Sequence, residues 1–295
     1  MNIFIAFLNP IIHGFSNTLD SHLSNNIFSR VRVFVFFGGL LNLFSLPIIF
    51  SITKPNFLSI DVLPFILLIA LIETTYLFPY YKAVKVADTS IVNALFSLGK
   101  VFVPILAFFI VKERLATVQY LGFIVIIISS VLLTFEPKNF KFNKSLLLMG
   151  IVSIILAIEG IIYKYILESI SWGTGFFWVT LFSSLISVSI FAHKPSQVII
   201  KENFKSFKKS FKILIAQEIL TWSGNMVEVY AISILPITMV KGITSSQPIF
   251  VLIYAVLFAK LFPHAFKEKT DMGNMIKKII LFLIMIGGTL LVIQK

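Results

Sequence analysis

Charged residues are sparse along this chain, and long apolar runs separate them. The pattern is clearest between Ala83 and Thr134. Lys82-Ala83-Val84-Lys85 opens a short charged turn. An apolar run then extends from Ser90 to Val111, Lys112-Glu113-Arg114 closes it, and a second run goes back from Thr117 to Thr134. At 1.5 Å rise per residue, about twenty residues cross the hydrocarbon core of a bilayer. Ten such segments are expected: Asn2–Leu19, Val33–Ile52, Val62–Tyr81, Ser90–Val111, Thr117–Thr134, Ser145–Leu167, Trp172–Ala192, Phe211–Ile232, Thr238–Leu261 and Lys277–Ile293. Short connections make sequence neighbours antiparallel. The lysine-rich stretch from His193 to Lys212 reads as an amphipathic surface helix.

Polar positions divide the segments into two kinds. Segments two, five, seven and ten carry little beyond Gly, Ser and Thr, as a lipid-facing helix should. The other six have polar stripes at helical spacing. These are His13 and Asn17 with Asn9, Ser16 and Asp20 in the first; Glu73, Tyr76 and Tyr80 in the third; and Asn93, Ser97 and Lys100 in the fourth. The sixth carries Glu159 and Tyr163, the eighth Glu218, Thr221, Asn225 and Glu228, and the ninth Lys241, Thr244 and Ser245. At 100° per residue each set falls on one face. Six polar-faced helices can enclose a central substrate cavity while four shield it from lipid.

The ionisable residues sharpen this picture, because a charge at mid-bilayer depth is costly unless it has a partner or a wet cavity. Glu73 and Lys100 lie near the middles of consecutive antiparallel segments and are expected to pair. Glu228 and Lys241 form a second expected pair. Glu159 has no basic residue one turn away, and a desolvated carboxylate without a partner can bind and release a proton. It is the first candidate for proton coupling, with Glu218 the second.

A shift of 148 positions places Ala83 on Ala231, Val92 on Val240, Ser97 on Ser245, Phe102 on Phe250 and Val103 on Val251. The order and lengths of the apolar runs repeat as well, which points to duplication. The expected architecture is all-α: ten transmembrane helices in two five-helix repeats around a central cavity. The repeats occupy residues 1–135 and 145–295, with residues 136–144 as linker.

Composition agrees with a membrane protein. The chain is 58% hydrophobic and 13% charged, against about 25% charged in soluble domains, and its mean hydropathy is +0.97. The net charge of +12 would suggest nucleic acid in a soluble protein. Here the lysines sit in loops, where they set topology and meet anionic headgroups, so no nucleic-acid partner is expected. The absence of cysteine excludes disulfides and cysteine metal sites. A cleaved signal peptide is not expected. HExxH, GxSxG and phosphate-loop motifs are absent, which argues against an enzyme, a metal or a cofactor. The pairs Gly38-Gly39 and Gly287-Gly288 lie in apolar helices and read as close-packing positions.

Pro248-Ile249-Phe250 in the second half, and Glu113-Arg114-Leu115 followed by Gln119 and Gly122 in the first, carry a resemblance. The chain resembles the EamA-type ten-helix carriers of the drug/metabolite transporter (DMT) superfamily. It departs from their pattern at Lys100, where a proline would stand, and at Leu261, where a second glutamate would. The resemblance implies alternating access around a cavity lined by helices one, three, four, six, eight and nine. The function expected is a multi-pass secondary transporter of the cell (inner) membrane, exporting a small polar or zwitterionic metabolite. Lys100 and Glu73 would supply the substrate site. A membrane-embedded enzyme or lipid-handling protein, and a structural subunit, are the alternatives. The sequence leaves a homodimer open, and it does not identify the substrate. The charge count puts both termini outside, because most lysines and arginines follow odd-numbered segments. The resemblance implies both termini in the cytoplasm.

Overall fold

The computed structural model describes residues 2–28, 30–85, 89–100, 102–114, 116–134, 144–259 and 272–294. The described residues form helices and their connections, with no strand among them. In order the helices are α1 (Asn2–His22), α2 (Val31–Thr53), α3 (Leu63–Thr75), α4 (Leu77–Val84), α5 (Thr89–Lys100), α6 (Phe102–Ile110) and α7 (Thr117–Thr134). Then come α8 (Lys144–Ile166), α9 (Trp172–Ser189), α10 (Lys194–Glu202), α11 (Phe204–Ile234), α12 (Ile237–Thr244), α13 (Gln247–Ala259) and α14 (Met272–Ile293). Each expected apolar segment falls on one helix or on two consecutive ones.

Among the described residues six helical stretches are long and apolar enough to span a membrane: 31–53, 63–84, 147–166, 172–192, 237–258 and 273–293. Residues 117–129 form a shorter one. The polar helices α1 and α11 fall outside this set. They pack on each other and turn polar residues into the interior, where lipid does not select against them. The outer surface is apolar, with Phe44, Leu71, Phe109, Leu257 and Leu283 exposed. A water-soluble protein rarely leaves so much apolar surface uncovered, and a bilayer covers it.

Two expected segments are interrupted. The third breaks at Tyr76 between α3 and α4, and the ninth at Ser245 and Ser246 between α12 and α13. The stretch at His193–Lys212 is not one surface helix. It forms α10 and then the first turns of α11, which extends seven residues further towards the N-terminus than the expected Phe211 start. The linker expected at 136–144 lies, up to residue 143, outside the described residues, as does Leu261.

Packing pairs the two halves. α2 lies along α9 and α7 along α14; α1 packs on α11 and α13, and α8 packs on α4, α5 and α6. Small residues permit the closest of these contacts. A methyl group at Gly288 would come within 2.9 Å of the Gly122 carbonyl oxygen, so α7 and α14 meet backbone to backbone. Two apolar clusters close the ends of the bundle. One gathers Phe28, Phe37, Val84, Leu95, Phe207 and Leu214. The other gathers Ala6, Val103, Ile161, Ala231, Val240 and Ile243.

Candidate functional site: a polar cavity between the two halves

Between the apolar clusters lies a cavity of ≈ 230 Å³. Helix α1 contributes His13, Asn17 and Asp20. Glu73, Tyr76 and Tyr80 reach it from the α3–α4 break, and Lys100 from the end of α5. Glu159 and Tyr163 come from α8, Thr221, Asn225, Glu218 and Glu228 from α11, and Lys241 and Thr244 from α12. Asn93 and Ser245 do not line it. Asn93 is buried, accepting from Asn17 Nδ2 and, at 3.1 Å, from Gln247 Nε2. Ser245 donates back to the Lys241 carbonyl at 2.9 Å. The Ser97 side chain lies outside the described residues.

The centre of the cavity is built on one ion pair. Lys241 Nζ donates to Glu228 Oε1 at 2.6 Å. Asn9 Nδ2 donates to the other oxygen, Oε2, at 3.0 Å and to the Gly224 carbonyl at 3.1 Å. Glu228 therefore has a donor on each oxygen, the condition under which a buried ion pair is tolerated. His13 lies against the same turn of α11, where a methyl group at Gly224 would come within 2.7 Å of its Nε2.

The other expected pair does not form. Lys100 Nζ donates to Thr244 Oγ1 at 2.9 Å, and no ion pair joins it to Glu73. The reason is packing: α3 packs on α8 and α9, while α5 packs on α7, α8 and α13. Helix α8 thus stands between two helices that are neighbours only in sequence. It brings Glu159 close enough to Glu73 for the two carboxylates to interact. Neither Glu73 nor Glu159 has a hydrogen bond or ion pair among the described residues.

Sequence patterning missed part of the lining. Helices α2 and α9, expected to face lipid, supply Gly38, Gly39, Asn42, Ser183, Ser184 and Ser187. Their stripe is made of small residues, so it reads as apolar. Space for the Glu218 carboxyl is left by the missing side chain of Gly38. Gln217 and Asn42 also belong to the site, beside Asp20 of the expected α1 stripe. Asp20 is buried and accepts from Tyr81 at 3.2 Å and from Tyr80 at 3.4 Å.

One contact outside the cavity ties the halves together. Lys112 adopts the left-handed conformation at φ 58°, turning the chain after α6. Glu113 then accepts from the backbone N–H groups of Ile237 at 3.0 Å and Thr238 at 3.1 Å. These are orphan donors at the start of α12, the helix that carries Lys241. Burial, opposed by these two hydrogen bonds, raises the Glu113 carboxyl above its ordinary value.

A broken-helix bundle with buried charges around a midway cavity is how membrane carriers are built. The comparison with known families decides which kind. Residues 1–135 match the EamA-like transporter family, which is part of the DMT superfamily. The fold extends over the whole chain. A solved crystal structure of a protein at 13% identity superposes with a TM-score of 0.60, covering 99% of this chain and 96% of that one. No curated protein matches the sequence. The first 135 residues are thus similar to a family of transporters, within a chain that carries membrane-spanning helices.

Proposed function

We propose that this protein is a secondary transporter that exports a small polar or zwitterionic metabolite across the cell (inner) membrane by alternating access, coupled to protons. The observation that carries the reading is the cavity itself, a polar space with both charge signs enclosed by helices from both halves. In that cavity Lys100 receives the acidic group of the substrate and the carboxylate lining its basic group.

Two five-helix repeats, ten spanning segments in all, are supported by the packing. Exchanging each first-half helix with its second-half counterpart maps α2–α9 and α7–α14 onto themselves, and α1–α11 onto the α8–α4 contact. Rocking of one half against the other then exposes the cavity to alternate sides. The α2–α9 and α7–α14 contacts lie on the exchange axis and are the natural pivots. The lysine-rich side, with α10, faces the cytoplasm by charge bias. A cysteine at Ser206 should therefore resist an impermeant thiol reagent in intact cells, with no native cysteine to interfere. Rapid labelling from outside would reverse the orientation.

Glu159 carries the coupling proton in this reading. It is buried, without a hydrogen-bond partner, and near Glu73. Like charges so placed favour sharing a proton between them. Labelled metabolite pools offered to vesicles, with and without the protein, identify the flux. Glu159→Gln should then retain substrate exchange and lose accumulation driven by a pH gradient. Full pH-driven accumulation by the variant would remove Glu159 from the coupling step, and absence of any flux would remove the transporter reading.

A further inference from the structure

The end of the cavity around Asp20 and Glu218 differs from its centre. Asp20 on α1 and Glu218 on α11 both line it and lie close enough to repel each other. No Lys, Arg or His among the described residues bonds to either carboxylate. Seven residues of α1 separate Asp20 from His13, a rise of about 10 Å. The cavity's other cations, Lys100 and Lys241, are engaged by Thr244 and Glu228.

The neutral groups here are also left as acceptors. Gln217, only 2% exposed, donates its Nε2 to Thr221 Oγ1 at 2.9 Å, and its Oε1 has no partner. Asn42 faces Glu218, and its Oδ1 is likewise buried without a partner. Tyr80 and Tyr81 direct their hydroxyl protons at Asp20, and Ser184 donates to the Thr180 carbonyl at 2.6 Å. A buried acceptor without a donor is costly, and here several are gathered at one place. Aromatic rings form the adjoining wall, with Tyr80 and Phe96 at 5.5 Å between centroids and Phe34 and Tyr81 at 4.6 Å. Their faces attract cations.

We propose that the Asp20–Glu218 end of the cavity is the seat of a primary ammonium group, so the substrate is an amine or an amine-bearing zwitterion that enters with its ammonium at this end. An alkylammonium presents three N–H donors and one positive charge, which Asp20, Glu218, Gln217 Oε1 and Asn42 Oδ1 can all accept. The assignment rests on the reading of this cavity as the substrate site, and it separates the roles of its carboxylates. Glu73 and Glu159 remain for the proton, and Asp20 and Glu218 hold the substrate.

The test uses the purified full-length protein and a four-carbon series: n-butylamine, 4-aminobutanoate, butanoate and n-butanol. Binding is read from the unfolding temperature against ligand concentration. The two amines should raise it, butanoate, which meets only Lys100, should raise it less, and butanol should leave it unchanged. Asp20→Asn with Glu218→Gln, near-isosteric changes, should weaken butylamine binding about tenfold or more. Stabilisation by butanoate equal to that by the amines would overturn the assignment, as would no response to any of the four compounds. So would a folded double variant that keeps the wild-type amine response. If the double variant does not fold, the wild-type series alone decides. Exchange in proteoliposomes is scored separately. A protein that binds amines and exchanges nothing contradicts the transporter reading and keeps the ammonium seat, whereas exchange of anions but not amines does the reverse.

Discussion

The centre of the cavity and its Asp20–Glu218 end both contain buried carboxylates, and they treat them in opposite ways. Glu228 receives one donor on each oxygen, from Lys241 and Asn9. Asp20 has two weak tyrosine donors and Glu218 faces an amide, with no cation bonded to either. Each arrangement has a different consequence for removing one group. A saturated pair fails when either member is lost, because the survivor is left charged and alone. An acceptor-rich site that awaits a donor loses little fold stability when one acceptor is neutralised, and loses ligand instead.

The largest expected effect tests that contrast directly. Lys241→Met should destabilise the protein by about 3 kcal/mol or more and reduce its abundance in the membrane, because Glu228 is left as a bare charge. Adding Glu228→Gln should restore most of the loss, since no charge then remains unpaired. Asp20→Asn at the other end should change stability by less than about 1 kcal/mol, because the amide oxygen still accepts from one tyrosine, the amide NH2 can donate to the other hydroxyl, and repulsion of Glu218 ends. Thermal unfolding of the four proteins gives the comparison. A double variant no better than Lys241→Met, or an Asp20→Asn loss as large, would erase the distinction between the two ends.

Much of this site is written in the helical spacing of polar residues. The stripes on α1, α8, α11 and α12 converge on one cavity because a polar residue in an apolar run has nowhere else to go. Glu228 and Lys241 pair as their depth requires. The Lys100 environment was not legible, because sequence order places α3 beside α5 while packing inserts α8 between them. Depth along a helix follows from counting residues; lateral neighbours follow from tertiary packing. The contribution of α2 and α9 was hidden for another reason. Gly38 and Gly39 act through the side chains they lack, and Ser184 and Ser187 resemble the small residues of any packed membrane helix. A small-residue stripe reads equally as packing surface or cavity wall, and only the opposing residue, here Glu218, distinguishes them.

The smallest expected effect concerns Glu113, which the sequence singles out as a family element and the structure shows at the start of α12. Its carboxylate substitutes for a local N-cap, accepting from Ile237 and Thr238 across the two halves. Loss of such a cap costs about 0.5–2 kcal/mol, so Glu113→Ala should lower the unfolding temperature modestly. Glu113→Gln keeps one acceptor and should lower it less. The pH dependence has a defined sign. Burial raises the folded-state value of this group above its ordinary one, so the folded protein holds the proton more tightly than the unfolded chain. The stability linked to that proton is fully present below the unfolded value and is lost as pH rises through the folded one. Wild type should therefore gain stability relative to Glu113→Gln as pH falls from 7 towards 4.5. The helix dipole and two backbone donors oppose this by favouring the charged form, so the measurement decides between burial and capping. If the wild-type advantage grows with rising pH instead, capping outweighs burial. Glu113 would then hold the start of α12, three residues from the turn bearing Lys241, as a charged clamp between the halves.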